Sequence, residues 1–193
     1  MSDRALVRCF FCVELPREVK LYLSSLAERY FSDRSLFKAV ERENLHVTVR
    51  FVGEVEPSTV EALSSEVGRR LGLSALRPFG LRLGSPGSFG RPPRVFWVGL
   101  EGDLEGLLGL WRLVEGSCEA LGLRGDGKPF SPHVTLARVR GGAPGRLRAI
   151  SERFEGELVE GMSFEVSSLV LMESALSREG PTYRPITSWR LGV

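Results

Sequence analysis

The chain has two histidines, and both stand in the same tripeptide. His46-Val47-Thr48 opens HVTVRF and His133-Val134-Thr135 opens HVTLAR, 87 residues further on. Side chains alternate between faces along a strand, so residues i and i+2 lie together. Each His then stands beside its own Thr, while Val47 and Val49, or Val134 and Leu136, fill the opposite face. Imidazole is the side chain whose unperturbed titration falls near neutral pH. Two of them can hold opposite protonation states, one taking a proton from water and the other giving one to a leaving oxygen. Repulsion between two imidazolium charges separates their apparent pKa values, which belong to the pair. The Thr48 and Thr135 hydroxyls can donate to nonbridging oxygens of an anion held between them. The chemistry this suits is acid–base cleavage of a phosphodiester, and it requires no metal or cofactor.

Other readings are weaker. A single strand histidine is usually a packed residue; here the pair exhausts the histidines and falls at equivalent points of an internal repeat. Zinc would need a third ligand, and no H-E-x-x-H or paired C-x-x-C supplies one; Asp126 and Glu173 carry no spacing signal. Cys9 and Cys12 form a C-x-x-C inside an apolar strand-like run. A separation of three points them to opposite faces, which suits burial rather than a shared metal or redox pair. With Cys118 they make no disulfide framework.

These residues need elements to position them. The 193 residues, 42% of them hydrophobic, suffice for one domain or two closely packed lobes. A net charge of +2 sets up no global field for a polyanion. The only lysines are Lys20, Lys38 and Lys128, so the basic residues are mostly arginines, whose forked heads suit anions where they line a cleft. The opening MSDRALVRCFFCVEL does not read as a secretory signal. No apolar run approaches the roughly 20 residues of a membrane helix. A cytoplasmic protein is expected, with no membrane association.

The sequence repeats at an offset near 87. Arg8-Cys9-Phe10-Phe11 lies over Arg94-Val95-Phe96-Trp97, and Pro57 over Pro144. Val60, Leu63 and Val67 lie over Leu147, Ile150 and Phe154, and Phe79 over Phe164. Each half reads as strand, helix, His strand, helix, strand. Strands are expected near 6–14, 45–53, 79–84, 94–100, 133–139, 164–173 and 183–191. Helices are expected near 17–31, from Pro57 to Gly72, and near 103–121 and 144–154. Their apolar stripes are Val19, Leu23, Leu26 and Tyr30 in the first, and Leu104, Leu107, Leu108, Trp111, Val114 and Cys118 in the third. The composition of residues 84–93 predicts a loop joining the halves. Residues 122–128 read as a glycine-rich connection. Pseudo-twofold packing of the halves would bring both His–Thr faces to one groove.

The ordered set RCFFCVELP, ENLHVTVRFVGEV, GSFGRPPRVFWVGL, KPFSPHVTLARVR and LVLMES followed by GPTYRPI resembles the 2H phosphoesterase superfamily, named for two H-x-[ST] motifs. It is most similar to the RNA 2′,3′-cyclic phosphodiesterases, also called 2′-5′ RNA ligase-like proteins, over essentially the whole chain. The resemblance implies an α+β fold: one domain, 1–193, of two similar lobes joined near 84–93. Two mainly antiparallel sheets would line a central cleft, with helices outside. It also implies metal-independent hydrolysis of an RNA terminal 2′,3′-cyclic phosphate to a 2′-phosphomonoester, with reversible 2′-5′ ligation as a secondary activity. His46 and His133 would be the catalytic pair, Thr48 and Thr135 the phosphate ligands. RNA ends or nucleotides bearing the cyclic phosphate are the expected partners; no protein partner is implied, and a monomer is expected.

Further candidate substrate contacts are Arg138 and Phe51, Phe89 and Arg91 in the joining loop, and Lys128 and Phe130 just before the second motif. Strict alternation turns Arg138 and Phe51 away from their histidines unless the strands bend. Two other functions fit the same motifs. One is a related phosphodiesterase acting on ADP-ribose 1″,2″-cyclic phosphate or 2′-5′ oligonucleotides. The other is an RNA-end binding module without turnover.

Overall fold

The computed structural model describes residues 6–125, 127–176 and 180–192. Asp126, weighed above as a metal ligand, and the first five residues of the opening segment lie outside them. The elements in chain order are β1 (Val7–Glu14), α1 (Arg17–Phe31), β2 (Phe37–Ala39), a 3₁₀ turn (Arg42–Asn44), β3 (His46–Val55), α2 (Pro57–Leu73), β4 (Phe79–Phe89), β5 (Val95–Gly102), α3 (Leu104–Ala120), β6 (His133–Val139), α4 (Pro144–Glu155), β7 (Ser163–Val166), β8 (Ser168–Leu176) and β9 (Pro181–Arg190).

Local chemistry sets the helix boundaries. Pro57 and Pro144 sit at the first helical positions of α2 and α4, where a missing N–H costs no intrahelical bond. Asp103 caps α3 by accepting from the Gly106 N–H at 2.8 Å. α1 buries Val19, Leu23, Leu26, Ala27 and Phe31, leaving Tyr30 only part-buried. The buried stripe of α3 is Leu107, Leu110, Val114, Ser117 and Cys118. Leu104, placed on that stripe by spacing, is 41% exposed.

All strand pairs are antiparallel, in the order β7-β4-β5-β6-β3-β1-β8-β9, with β2 added against β6. β7 and β8 are neighbours in the chain, separated by Ser167 alone, yet they stand first and seventh in the strand order. A one-residue link spans only a few ångströms, so the sheet must curl until its ends approach. The expected single strand over 164–173 thus serves both ends, with Ser167 at the crossing and its carbonyl accepting from Leu191 N–H. The fold is α+β, with α1 packed against β6 and α3 against β3 on the outside. One large core lies between helices and sheet. A second, small cluster on the other face holds Phe10, Cys12, Val170 and Met172.

The register corrects the sequence repeat in two places. Cys12 faces Thr48 while Trp97 faces Thr135, and Val13 faces Val47 while Val98 faces Val134. β1 therefore superposes on β5 at an offset of 85, where sequence identity suggested 86. The difference of one residue reverses every side chain: Phe11 matches Phe96 in the core, and Phe10 stands on the cleft face. Phe79 and Phe164 are not equivalents either, because β4 and β7 pair with each other. The strand that flanks β5 as β8 flanks β1 is β4.

Residues 84–89, expected in a loop, continue β4 to Phe89, and the turn is confined to the segment before β5. Their glycines answer to packing. A Cβ at Gly87 would lie 2.4 Å from the Trp97 ring, which lies across the strand there. Cys9 and Cys12 are fully buried on opposite faces of β1, as expected, and Cys118 is buried in α3. Burial pushes their thiols up to about 11, about 12 and about 11 respectively, which leaves them unreactive.

Candidate active site

β3 and β6 meet at one position, Val47 opposite Val134, at the centre of the sheet. Both valines are fully buried beneath the sheet. Their neighbours on either side, His46 and Thr48 and His133 and Thr135, therefore turn to the opposite, cleft face. The antiparallel register about this pair sets His46 on the side of Thr135 and His133 on the side of Thr48. A pseudo-twofold axis thus passes between the two motifs.

Both motif strands carry the same irregularity. Opposite the adjacent residues Phe11 and Cys12, β3 presents Arg50 and Thr48, with Val49 unpaired between them. Opposite Phe96 and Trp97, β6 presents Ala137 and Thr135, with Leu136 unpaired between them. Each is a β-bulge that advances the chain by one residue and resets the alternation. The residue three beyond the threonine then rejoins the histidine face. Arg138 and Phe51, which strict alternation turned away, both line the cleft with His46, Thr48 and Thr135. The cleft encloses about 460 Å³.

The histidine rings are held alike. His46 Nδ1 lies 2.6 Å from the carbonyl of Asn44, and His133 Nδ1 lies 2.6 Å from the carbonyl of Ser131. A carbonyl can only accept, so Nδ1 carries the proton in each ring and Nε2 is the titrating nitrogen. His46 Nε2 lies 2.9 Å from Thr48 Oγ1. Aromatic rings flank both imidazoles: Phe10 and Tyr183 at 4.9 and 5.4 Å from His46, Phe89 and Trp97 at 5.0 and 6.0 Å from His133. Burial draws the pKa of both imidazoles below the ordinary histidine value. The carbonyl hydrogen bonds oppose this; the charges of Lys20, His133 and Arg138 add to it at His46, and that of Arg138 at His133.

The remaining candidates divide. Phe89 is the last residue of β4 and meets the His133 ring edge-on. Arg91 lies in the exposed turn after it. Lys128 is exposed in the segment before β6. Phe130 stacks on Trp111 at 5.4 Å and 10° and packs against the core, so its ring is occupied away from the cleft. Spacing did not single out Arg8, Phe10, Lys38, Ser174 or Tyr183, which also line the cleft. Arg8 and Phe10 share the face of Cys12 on β1, so the readable signal was the β1 alternation once set in the correct register.

Two tautomer-fixed imidazoles on one face of the sheet, each two residues from a threonine and His46 in contact with its hydroxyl, can remove and deliver protons. An α+β chain whose curled antiparallel sheet turns two such His–Thr pairs to one face, with His46, Thr48 and Thr135 lining the cleft there, has the architecture of the two-histidine phosphoesterases. Residues 16–178 match the 2′-5′ RNA ligase superfamily, and the chain belongs to it. A relative from Aeropyrum pernix, an RNA 2′,3′-cyclic phosphodiesterase, is 39% identical over 77% of this chain and 83% of its own. Among solved structures, TT0787 of Thermus thermophilus superposes with a TM-score of 0.79 at 29% identity, over 95% of this chain and 97% of that one. Escherichia coli LigT complexed with 3′-AMP superposes with a TM-score of 0.77 at 26% identity, over 97% and 99%. No helix among the described residues is long and apolar enough to cross a membrane.

Proposed function

We propose that the protein hydrolyses the 2′,3′-cyclic phosphate at an RNA end to a 2′-phosphomonoester, without a metal, by two-histidine acid–base catalysis. The observation that carries this is the pair of equivalent His–Thr motifs on one face of the sheet, either side of the Val47–Val134 pair, each with Nδ1 tied to a carbonyl and Nε2 titratable, with His46, Thr48 and Thr135 lining the cleft. The name carried by the Aeropyrum pernix relative gives the substrate class. In this reading His133 Nε2 takes a proton from water as its oxygen attacks phosphorus. The P–O3′ bond breaks, and His46 Nε2 gives its proton to O3′. Thr48 and Thr135 donate to the nonbridging oxygens. Neutral His46 accepts from the Thr48 hydroxyl; protonated His46 donates to it, which turns the Thr48 proton outward. The acid form of His46 and a donating Thr48 therefore occur together. Reversal with an RNA 5′-hydroxyl as nucleophile would form a 2′-5′ bond. The same reading takes the chain as one domain of two similar lobes joined through the β4–β5 hairpin, acting as a monomer.

Incubation with cyclic-phosphate-ended RNA and identification of the product tests it. The phosphate is expected on O2′, with activity unchanged by EDTA. His46→Ala and His133→Ala should each lose about 10²- to 10⁴-fold in kcat with the fold intact. Full activity in either variant removes the mechanism. Turnover of ADP-ribose 1″,2″-cyclic phosphate in preference to RNA would move the substrate, and tight binding without product would leave a binding module.

A further inference from the structure

Position 138 on the second motif strand and position 51 on the first are equivalents, both brought to the cleft by a bulge. One is a cation and the other a phenyl ring. The missing charge on the first side is supplied from β1. The Arg8 guanidinium lies over the Phe51 ring, 4.7 Å from its centroid. Its equivalent at the 85-residue offset is Pro93, so the second lobe has no counterpart. Ring stacking holds a guanidinium flat while leaving its N–H edge free to bind an anion. Among the described residues the carboxylate partner of Arg8 is Glu54, 3.8 Å away, and the two side chains are solvent-accessible at 37% and 56%. That contact is a weak competitor for an incoming phosphate.

The spacing points outward along the strand. Cys12 faces Thr48 and Phe10 faces Phe51, two residues along β1. That is about 7 Å at the strand rise. The guanidinium over Phe51 thus stands one backbone step beyond the centre where Thr48 would hold the reacting phosphate. Resting on the function proposed above, we infer that Arg8, propped on Phe51, binds the phosphodiester next to the terminal nucleotide. It makes the site selective for oligoribonucleotide ends over cyclic mononucleotides.

The test compares a 2′,3′-cyclic mononucleotide with a short oligoribonucleotide ending in 2′,3′-cyclic phosphate. In Arg8→Ala the oligonucleotide-to-mononucleotide ratio of kcat/KM should fall about tenfold, the size of one charge-assisted contact, and chiefly through KM. Arg8→Lys should restore part of it, and Glu54→Gln should not lower it. The salt dependence of oligonucleotide KM should become shallower in Arg8→Ala by about 0.7 in logarithmic slope, one phosphate contact on a single strand. An unchanged ratio, or an equal loss on both substrates, overturns the assignment. If the wild type cleaves neither substrate, the function proposed above fails. Fluorescence anisotropy with labelled oligoribonucleotide still decides the Arg8 subsite: weaker binding by Arg8→Ala supports it, and equal binding overturns it.

Discussion

Burial and neighbouring cations make both imidazoles weaker bases than a free histidine, and this has consequences on either side of catalysis. A cationic group whose pKa is lower folded than unfolded binds fewer protons in the native state between the two values. Stability then rises with pH through that window and is lost as pH falls below the ordinary value of 6.5. Urea midpoints measured between pH 8 and 5 should fall toward acid in the wild type, and less steeply in His46→Gln; identical slopes would remove His46 from that linkage. Catalysis reads the same groups. The bell for kcat/KM reports the free enzyme and should be centred on the acid side of the ordinary histidine value. A bound phosphate anion favours the imidazolium, so the bell for kcat should lie at higher pH. Coincident bells would mean that the anion does not sit between the rings. Thr48→Val removes the hydroxyl 2.9 Å from His46 Nε2 at nearly constant shape and should lower kcat by roughly 10²-fold. The His–Thr pairs were legible in the sequence because alternation over two residues precedes the irregularity in each strand.

The element scale is where the sequence misleads. Alternation counted from His133 sends residue 137 to the cleft and 138 to the core. The bulge at Leu136 does the reverse: Ala137 is fully buried and Arg138 lines the cleft. Nothing in the residue types of HVTLAR or HVTVRF marks a bulge, since β-bulges depend on the partner strand as much as on their own. The same dependence hid the strand over 84–89. Its Gly, Ser and Pro look like a loop, but the segment is a strand in which Gly87 clears space for Trp97, a residue of the next strand. β2 and the 3₁₀ turn went unread because three residues show no period. The helices were legible, since a stripe at helical spacing belongs to one segment alone. The bulge makes a prediction opposite to alternation. Ala137→Leu should cost about 1–3 kcal/mol of stability by overpacking. Arg138→Leu should leave the denaturation midpoint nearly unchanged while reducing kcat/KM. Thermal or urea denaturation of the two variants, with activity measured alongside, checks both. The reverse pattern would mean that β6 pairs regularly through Leu136.

At the scale of the whole molecule the two halves exchange strands. β4 belongs to the first half by sequence but pairs with β5 and β7 of the second; β8 belongs to the second but pairs with β1 of the first. The helices cross likewise, α1 against β6 and α3 against β3. Each half therefore lacks partners for an apolar strand it contributes, Phe79, Leu81 and Leu83 on β4 and Leu169 and Leu171 on β8, all buried in the complete chain. An exposed apolar strand edge without its partners is unstable and prone to association. This interlocking also keeps the histidines together, since β3 and β6 pair in register at only one position, Val47 opposite Val134. A cut in the turn between β4 and β5 should thus give fragments 1–90 and 91–193 that are each largely unfolded alone. Their mixture should regain sheet-rich circular dichroism, cooperative unfolding and phosphodiesterase activity together. Activity should follow the concentration of the refolded pair and be second order in fragment. A fragment that folds cooperatively without its partner would show that the exchanged strands are dispensable. The two His–Thr faces would then need another reason to meet.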